Sequence, residues 1–315
     1  MGSKPNLETS FCGMRLRNPT VLASGVLGVS AAVLARVARE GGAGAVTTKS
    51  CCLKPRVGHP NPVMLPLPGG SFINAVGLSN PGAEEELKEI LAAKRALGRT
   101  PLFASVFGET ASEFGEVAGI LSRAKPALLE ANVSCPNVES EFGKPFAFDA
   151  AACRSVVESI KNAAPKTPLS VKLSPNAPNL VSVALACQDA GADAITATNT
   201  LGPGMVINAE ARAPVLSNKV GGVSGAALKP VALRCVYSLF DRLEIPILGV
   251  GGIASGRDAV EMMMAGASAV GIGTAVYSRG IRVFALVCEE MREWMKKNGF
   301  SKTRELVGLA HEKKS

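Results

Sequence analysis

Aromatic residues are scarce in this 315-residue chain: they make up 4% of it, with one Trp and two Tyr. The net charge of +8 comes from 34 Lys and Arg scattered against 26 acids, without the basic stripe and interleaved aromatics of a nucleic-acid surface. That charge supports a general pull on anionic ligands, and no nucleic-acid partner is expected. Histidine is rarer still: His59 and His311 are the only two, and the second stands in a charged tail, which argues against a histidine-based triad or metal site. The eight cysteines include no C-x-x-C pair and no cluster with zinc or iron–sulfur spacing, so no metal is expected on this chain and the thiols should stay reduced. No apolar run reaches the roughly 18 to 20 residues of a membrane span. The start, MGSKPNLETS, has neither a signal-peptide core nor a complete myristoylation motif, and a cytoplasmic protein is expected. Linkers and low-complexity stretches are also missing, and with 47% hydrophobic residues the chain reads as one domain over residues 1–315.

What is present is a repeated alternation. After a short amphipathic hairpin (LETSFCGMRLRNP), eight β-rich runs follow: TVLASG, AVTTKS, PLFASVFG, LLEANVSC, PLSVKLSP, AITATNT, PILGVGG and AVGIGT. Segments of helical periodicity lie between most of them, among them SAAVLARVARE, TASEFGEVAGILSRA and GRDAVEMMMAGA, several opened by a capping Ser, Thr, Asp or Asn. Eight β-then-α units in series predict an α/β fold of the (β/α)8 barrel (TIM barrel) type. A doubly wound sheet is the alternative, but Ala23-Ser24-Gly25-Val26-Leu27-Gly28 after the first strand lacks the first glycine of G-x-G-x-x-G. The connections Cys51 to Pro81 and Leu201 to Lys229 read as long functional loops on the catalytic face.

Chemistry-bearing residues collect where strands run out on that face. Gly249-Val250-Gly251-Gly252, a helix opening near Ser255, and Gly271-Ile272-Gly273-Thr274 offer bare amides at the last two strands, as a phosphate site requires. Lys49 and Lys172 are cations on apolar strands, which must point into water or into a site that needs charge. Asn74, Asn132, Asn137 and Asn199 stand at strand ends or in long loops, and four groups that both donate and accept suit a ring of alternating C=O and N–H groups, such as a pyrimidine. Cys135, in EANVSCPNVES, follows the fourth strand; alone it reads as a small buried thiol in a turn, and only the rest of the chain shifts that reading.

Taken together these residues resemble the class 1 dihydroorotate dehydrogenases. The resemblance rests on TKS (48 to 50), NAVGLSNPG (74 to 82), NVSCPNV (132 to 138), VKLSP (171 to 175), NTLGPGMVI (199 to 207), GGVSGAALKPVALR (221 to 234), GVGGI (249 to 253) and GIGT (271 to 274). It implies a barrel with an N-terminal hairpin, FMN as cofactor, and oxidation of dihydroorotate to orotate in pyrimidine biosynthesis. Cys135 would be the general base that removes the C5 proton while hydride leaves C6 for the flavin. Lys49, Asn74, Val76, Gly77, Leu78, Asn132, Asn137, Asn199 and Thr200 would hold the substrate. Ser24, Lys49, Ser50, Ser105, Asn132, Lys172 and Thr198 would contact the flavin, and Gly225, Gly251, Gly252, Gly273 and Thr274 its phosphate.

Within that family, NPG (80 to 82) and ALKPVALR (227 to 234) resemble the NAD-linked branch, whose catalytic subunit works with an iron–sulfur flavoprotein partner. That branch implies a homodimer, or a heterotetramer with the partner. ESEFGKPFAFD (139 to 149) and Ser105 lean instead toward the fumarate-using branch. A dihydropyrimidine dehydrogenase-like activity shares the barrel and a similar cysteine loop, but that family shows histidine where this chain has Asn137. A non-redox phosphate-ligand barrel fits the glycine turns and leaves the cysteine loop and the asparagine set without a purpose.

Overall fold

The computed structural model describes residues 4–134 and 146–311. The eight β-rich runs form a closed barrel of parallel strands, adjacent in chain order: Thr20–Leu22, Ala45–Thr47, Leu102–Val106, Leu128–Asn132, Leu169–Leu173, Ala194–Ala197, Ile247–Val250 and Ala269–Ile272, here barrel strands 1 to 8. Around them run helices α1 (Ala31–Arg39), α2 (Ala83–Leu97), α3 (Ala111–Ser122), α4 (Ala150–Ala163), α5 (Leu180–Asp189), α6 (Lys229–Phe240), α7 (Gly256–Met264) and, after a short α8 (Ala275–Arg279), α9 (Val283–Lys297). Side-chain oxygens of Ser30, Thr110, Asp149, Asn179 and Ser255 accept from first-turn amides and start five of these helices at the polar residues that precede each apolar stripe. One apolar sleeve joins the helix faces to the outer faces of the strands.

Alternation along each strand decides what fills the barrel. Its lower interior is apolar: Val21, Ala45, Phe103, Leu128, Ala194, Leu248 and Ala269 pack on Phe11 and Leu16 of the N-terminal hairpin. That hairpin pairs Thr9–Phe11 with Met14–Leu16 through a two-residue turn in which Cys12 and Gly13 both have positive φ (47° and 72°). It therefore plugs the N-terminal mouth. Two residues higher the interior turns polar, with Ser105 and Thr196 both donating to Glu130. The C-terminal mouth is thus where charge and polarity lie.

The two long connections differ from the expectation of loops. Met64–Leu67 and Ser71–Asn74 from the first pair with Leu201–Met205 and Val220–Gly225 from the second, giving a four-stranded antiparallel sheet over the mouth. Three of the pieces are interrupted by Gly or Pro and Ser71–Asn74 is only four residues long, so none shows strand periodicity in isolation. Only the pairing across 148 residues, Asn74 opposite Gly222, makes them strands.

Candidate active site

A cavity of about 380 Å³ opens between the C-terminal ends of the barrel strands and this sheet. One end of it is lined by Gly225, Gly251, Gly252, Gly273 and Thr274. A Cβ on Gly252 (φ 69°) would lie 2.5 Å from the Lys229 side chain and 2.9 Å from the carbonyl oxygen of Gly225, so the wall is drawn as close as bare backbone allows. The helix beyond it does not join this wall as the sequence led us to expect. Asp258 accepts from the amides of Ala254 (3.1 Å) and Ser255 (2.8 Å), and Glu290 accepts from Gly256 (2.6 Å), so the opening of α7 is satisfied by the chain's own carboxylates. At this end of the cavity the bare backbone is that of the strand-end glycines and Thr274.

At the opposite end the turn after Asn74 shows three successive peptides facing one way. The carbonyl of Ala75 accepts from His59 Nδ1 (3.0 Å), that of Val76 from the His59 amide (3.2 Å), and that of Gly77 from the Arg56 guanidinium (3.0 Å). In a trans peptide the following N–H points the other way. The amides of Val76, Gly77 and Leu78 are thereby turned from His59 and Arg56, and all three residues line the cavity. Gly77 and Leu78 both have positive φ (75° and 55°), so the turn is left-handed at two successive residues. A Cβ on Gly77 would meet the His59 backbone nitrogen at 2.7 Å.

Between the two ends lies the polar floor. Lys172, 5% exposed, donates to Ser24 Oγ at 2.9 Å and stands 3.8 Å from Oε1 of Glu130, which is 2% exposed. Asn132 Nδ2 donates to Ser50 Oγ (3.1 Å), and Asn199 Nδ2 donates to Asn132 Oδ1 (3.2 Å) and Ser134 Oγ (2.8 Å). Lys49 is half-buried on the same wall; burial pushes its ammonium below the usual lysine range and the charge of Glu86 opposes that. Burial in turn raises the Glu86 carboxyl to about 7, with Glu89 adding to the rise.

Most residues singled out in the sequence therefore meet in one place. Ser24, Lys49, Ser50, Asn74, Val76, Gly77, Leu78, Asn132, Lys172, Thr198, Asn199 and Thr200 line the cavity with the glycine set. Ser105 does not: it is fully buried, one layer deeper, behind Ser50 at 2.8 Å. Cys135 and Asn137 lie outside the described residues, next in the chain after Asn132 and Ser134 on the floor. Sequence reasoning passed over Glu130, although an acid in the middle of LLEAN carries the same signal that picked out Lys172. It also passed over Phe72 and Tyr277, which pack at the cavity wall with ring centroids 5.0 Å apart.

A closed barrel with a glycine-lined wall and a polar floor at its C-terminal mouth defines a (β/α)8 protein whose cavity lies on the face where this fold carries its sites. More specifically, residues 6–295 match the family Dihydroorotate dehydrogenase, and the chain belongs to it. It is 48% identical over 306 residues to the "Dihydroorotate dehydrogenase B (NAD(+)), catalytic subunit" of Methanosarcina mazei, covering 97% of this chain and 96% of that one. It is 45% identical to the protein of the same description from Methanothermobacter thermautotrophicus, covering 97% and 99%. In fold it is similar to a crystal structure of DHODH from Eimeria tenella in complex with ferulenol, with a TM-score of 0.85 at 22% identity, covering 98% of this chain and 89% of that one.

Proposed function

We propose that this chain oxidises dihydroorotate to orotate with FMN as its cofactor, and that it serves as the catalytic subunit of an NAD-linked enzyme. The observation that carries the reading is the cavity itself. It joins a glycine wall suited to phosphate, a buried lysine at its floor, and a cluster of asparagines beside the cavity-facing amides of Val76, Gly77 and Leu78. These features follow one another in the order that a flavin mononucleotide stacked on a small anionic ring would need. The close approach at Gly252, where a Cβ would strike Lys229 and Gly225, supports backbone contact with a phosphate.

When bound, FMN supplies a two-electron acceptor for the hydride that leaves C6 of dihydroorotate. The rest falls to the chain. Cys135, as thiolate, takes the C5 proton, so that the C5–C6 single bond becomes a double bond. Asn74, Asn132, Asn137 and Asn199 orient the ring through its C=O and N–H groups, with Thr200 beside them. The amides of Val76, Gly77 and Leu78 receive the carboxylate, with Lys49 as its charged partner. Ser24, Ser50 and Thr198 hold the flavin ring and Ser105 supports Ser50 from behind; Lys172 would set a fixed positive charge against the flavin. Gly225, Gly251, Gly252, Gly273 and Thr274 take the phosphate.

No helix of the described residues is long and apolar enough to cross a membrane, in keeping with a cytoplasmic enzyme. The chain carries neither a C-x-x-C pair nor a G-x-G-x-x-G turn. Electrons would therefore pass to NAD through an iron–sulfur flavoprotein partner, in a heterotetramer. The test is anaerobic: protein purified alone should carry FMN, bleach on adding dihydroorotate, and reduce NAD only once such a partner is present. Colourless protein, or flavin that stays oxidised with dihydroorotate, would refute the activity; rapid reoxidation by fumarate would refute the partner.

A further inference from the structure

Glu130 sits midway along barrel strand 4 with its side chain in the barrel interior, where no activity described above uses it. A carboxylate only accepts hydrogen bonds. Ser105 Oγ lies 3.3 Å from Oε1 and Thr196 Oγ1 3.2 Å from Oε2, so each hydroxyl spends its single proton on Glu130. Ser105 must then accept from Ser50 at 2.8 Å, and Ser50, its own proton spent, must accept from Nδ2 of Asn132 at 3.1 Å. With Nδ2 fixed toward Ser50, Oδ1 of Asn132 faces the other way and accepts from Ser134 Oγ (3.1 Å) and from Nδ2 of Asn199 (3.2 Å). That in turn leaves Oδ1 of Asn199 to accept from the Thr200 amide at 2.8 Å. On the far side Ser170 donates to Thr196 at 2.8 Å by the same logic.

A chain of hydroxyls and amides has no direction of its own. Hydroxyls rotate and amides flip, so direction comes from the ends: the Thr200 N–H, which can only donate, sets Asn199, and the Ser105–Ser50 end is set by what stands beyond it. An anion at that end removes the freedom. We propose that Glu130 is a positioning residue: a buried acceptor that sets the direction of the chain from the Ser105–Ser50 end, matching the one the Thr200 N–H imposes on Asn199, so that Asn132 meets a ligand in one amide orientation. Through its 3.8 Å pairing it also holds Lys172, whose other contact is Ser24, at the cavity floor. The naming of the ligand as orotate rests on the function proposed above; the chain and its direction do not.

The experiment uses flavin-loaded Glu130→Gln, which keeps the shape of the side chain while removing its charge and adding donors. Two quantities are read: orotate affinity, from the flavin absorbance change on titration, and the midpoint potential of the bound flavin without orotate, by equilibrium reduction against a reference dye. Glu130→Gln should bind orotate about tenfold more weakly, the size of a lost or mis-set buried hydrogen bond. Its potential should move positive, because Lys172 loses its counter-charge and favours the more negative reduced flavin. Ser105→Ala cuts the chain and leaves the anion, so it should weaken orotate similarly with the potential unmoved. It also decides the matter if Glu130→Gln does not fold. Wild-type orotate affinity in both variants would overturn the directional chain, and an unmoved potential in Glu130→Gln would overturn the hold on Lys172. The potential is read without substrate, so it still tests Glu130 if the wild-type flavin proves indifferent to orotate, a result that would sink the functional reading separately.

Discussion

His59 Nδ1 lies 3.0 Å from the carbonyl oxygen of Ala75, and the amide of the same residue donates to Val76, so one histidine sets two successive peptides of the turn after Asn74. A carbonyl can only accept, so Nδ1 carries the proton. His59→Ala should leave the flavin in place and weaken orotate by about 2- to 12-fold, the net worth of one ordinary hydrogen bond. His59→Asn, whose amide can reach the same oxygen, should recover most of the loss. Equal orotate affinity in all three proteins, by flavin-absorbance titration, would mean that the turn holds its shape without the histidine.

Lys49→Ala should act more strongly on the same ligand. A carboxylate removed from water relies on a charge-assisted partner worth about 1.5 to 3 kcal/mol, or roughly 10- to 100-fold in affinity. Flavin content should be nearly unchanged. An unaltered orotate dissociation constant would place Lys49 away from the carboxylate.

Gly252→Val should show the opposite pattern. A Cβ there would lie 2.5 Å from the Cβ of Lys229, and φ is 69°, a conformation that β-branched residues avoid. The variant should purify with little FMN. Full flavin content, read from the ratio of visible to ultraviolet absorbance, would place the phosphate elsewhere.

Glu86 makes stability depend on pH. Its carboxyl is raised from an ordinary 4.5 to about 7 in the folded chain, so the folded state binds more protons than the unfolded one between those values. Stability contributed by the protonated acid is complete below about 4.5 and is lost as pH rises through about 7. The change amounts to about 3 kcal/mol from the size of the shift. Glu86→Gln should flatten that decline and be the more stable protein at pH 8, by urea denaturation. Parallel stability–pH curves for the two proteins would contradict the assignment.

The barrel was legible because each strand is a compact apolar run and most connections carry helical periodicity with a cap. The sheet over the mouth was hidden. Its pieces, such as Leu201–Met205 with two glycines and a proline, become strands only by pairing with segments far along the chain. At the site, lysines and asparagines at strand ends announced themselves, because polar groups in apolar runs need a reason. The same reasoning reaches Glu130, but its role emerges only once Ser105 and Thr196, on two other strands, and Ser50, just past a third, are seen to surround one interior. That the opening of α7 is closed to an anion was likewise not visible, since Asp258 and Glu290 read in sequence as ordinary helix acids.

The central claim is that dihydroorotate reduces the bound flavin with Cys135 as the base. Its most direct test is anaerobic stopped-flow mixing of dihydroorotate with the wild-type protein and with Cys135→Ala, following the loss of oxidised-flavin absorbance. Both proteins should hold FMN, and the variant should be reduced more slowly by roughly 10² to 10⁴, the contribution of a positioned general base. Reduction of the variant at the wild-type rate would remove Cys135 from the mechanism, and a wild-type flavin left oxidised by dihydroorotate would contradict the account as a whole.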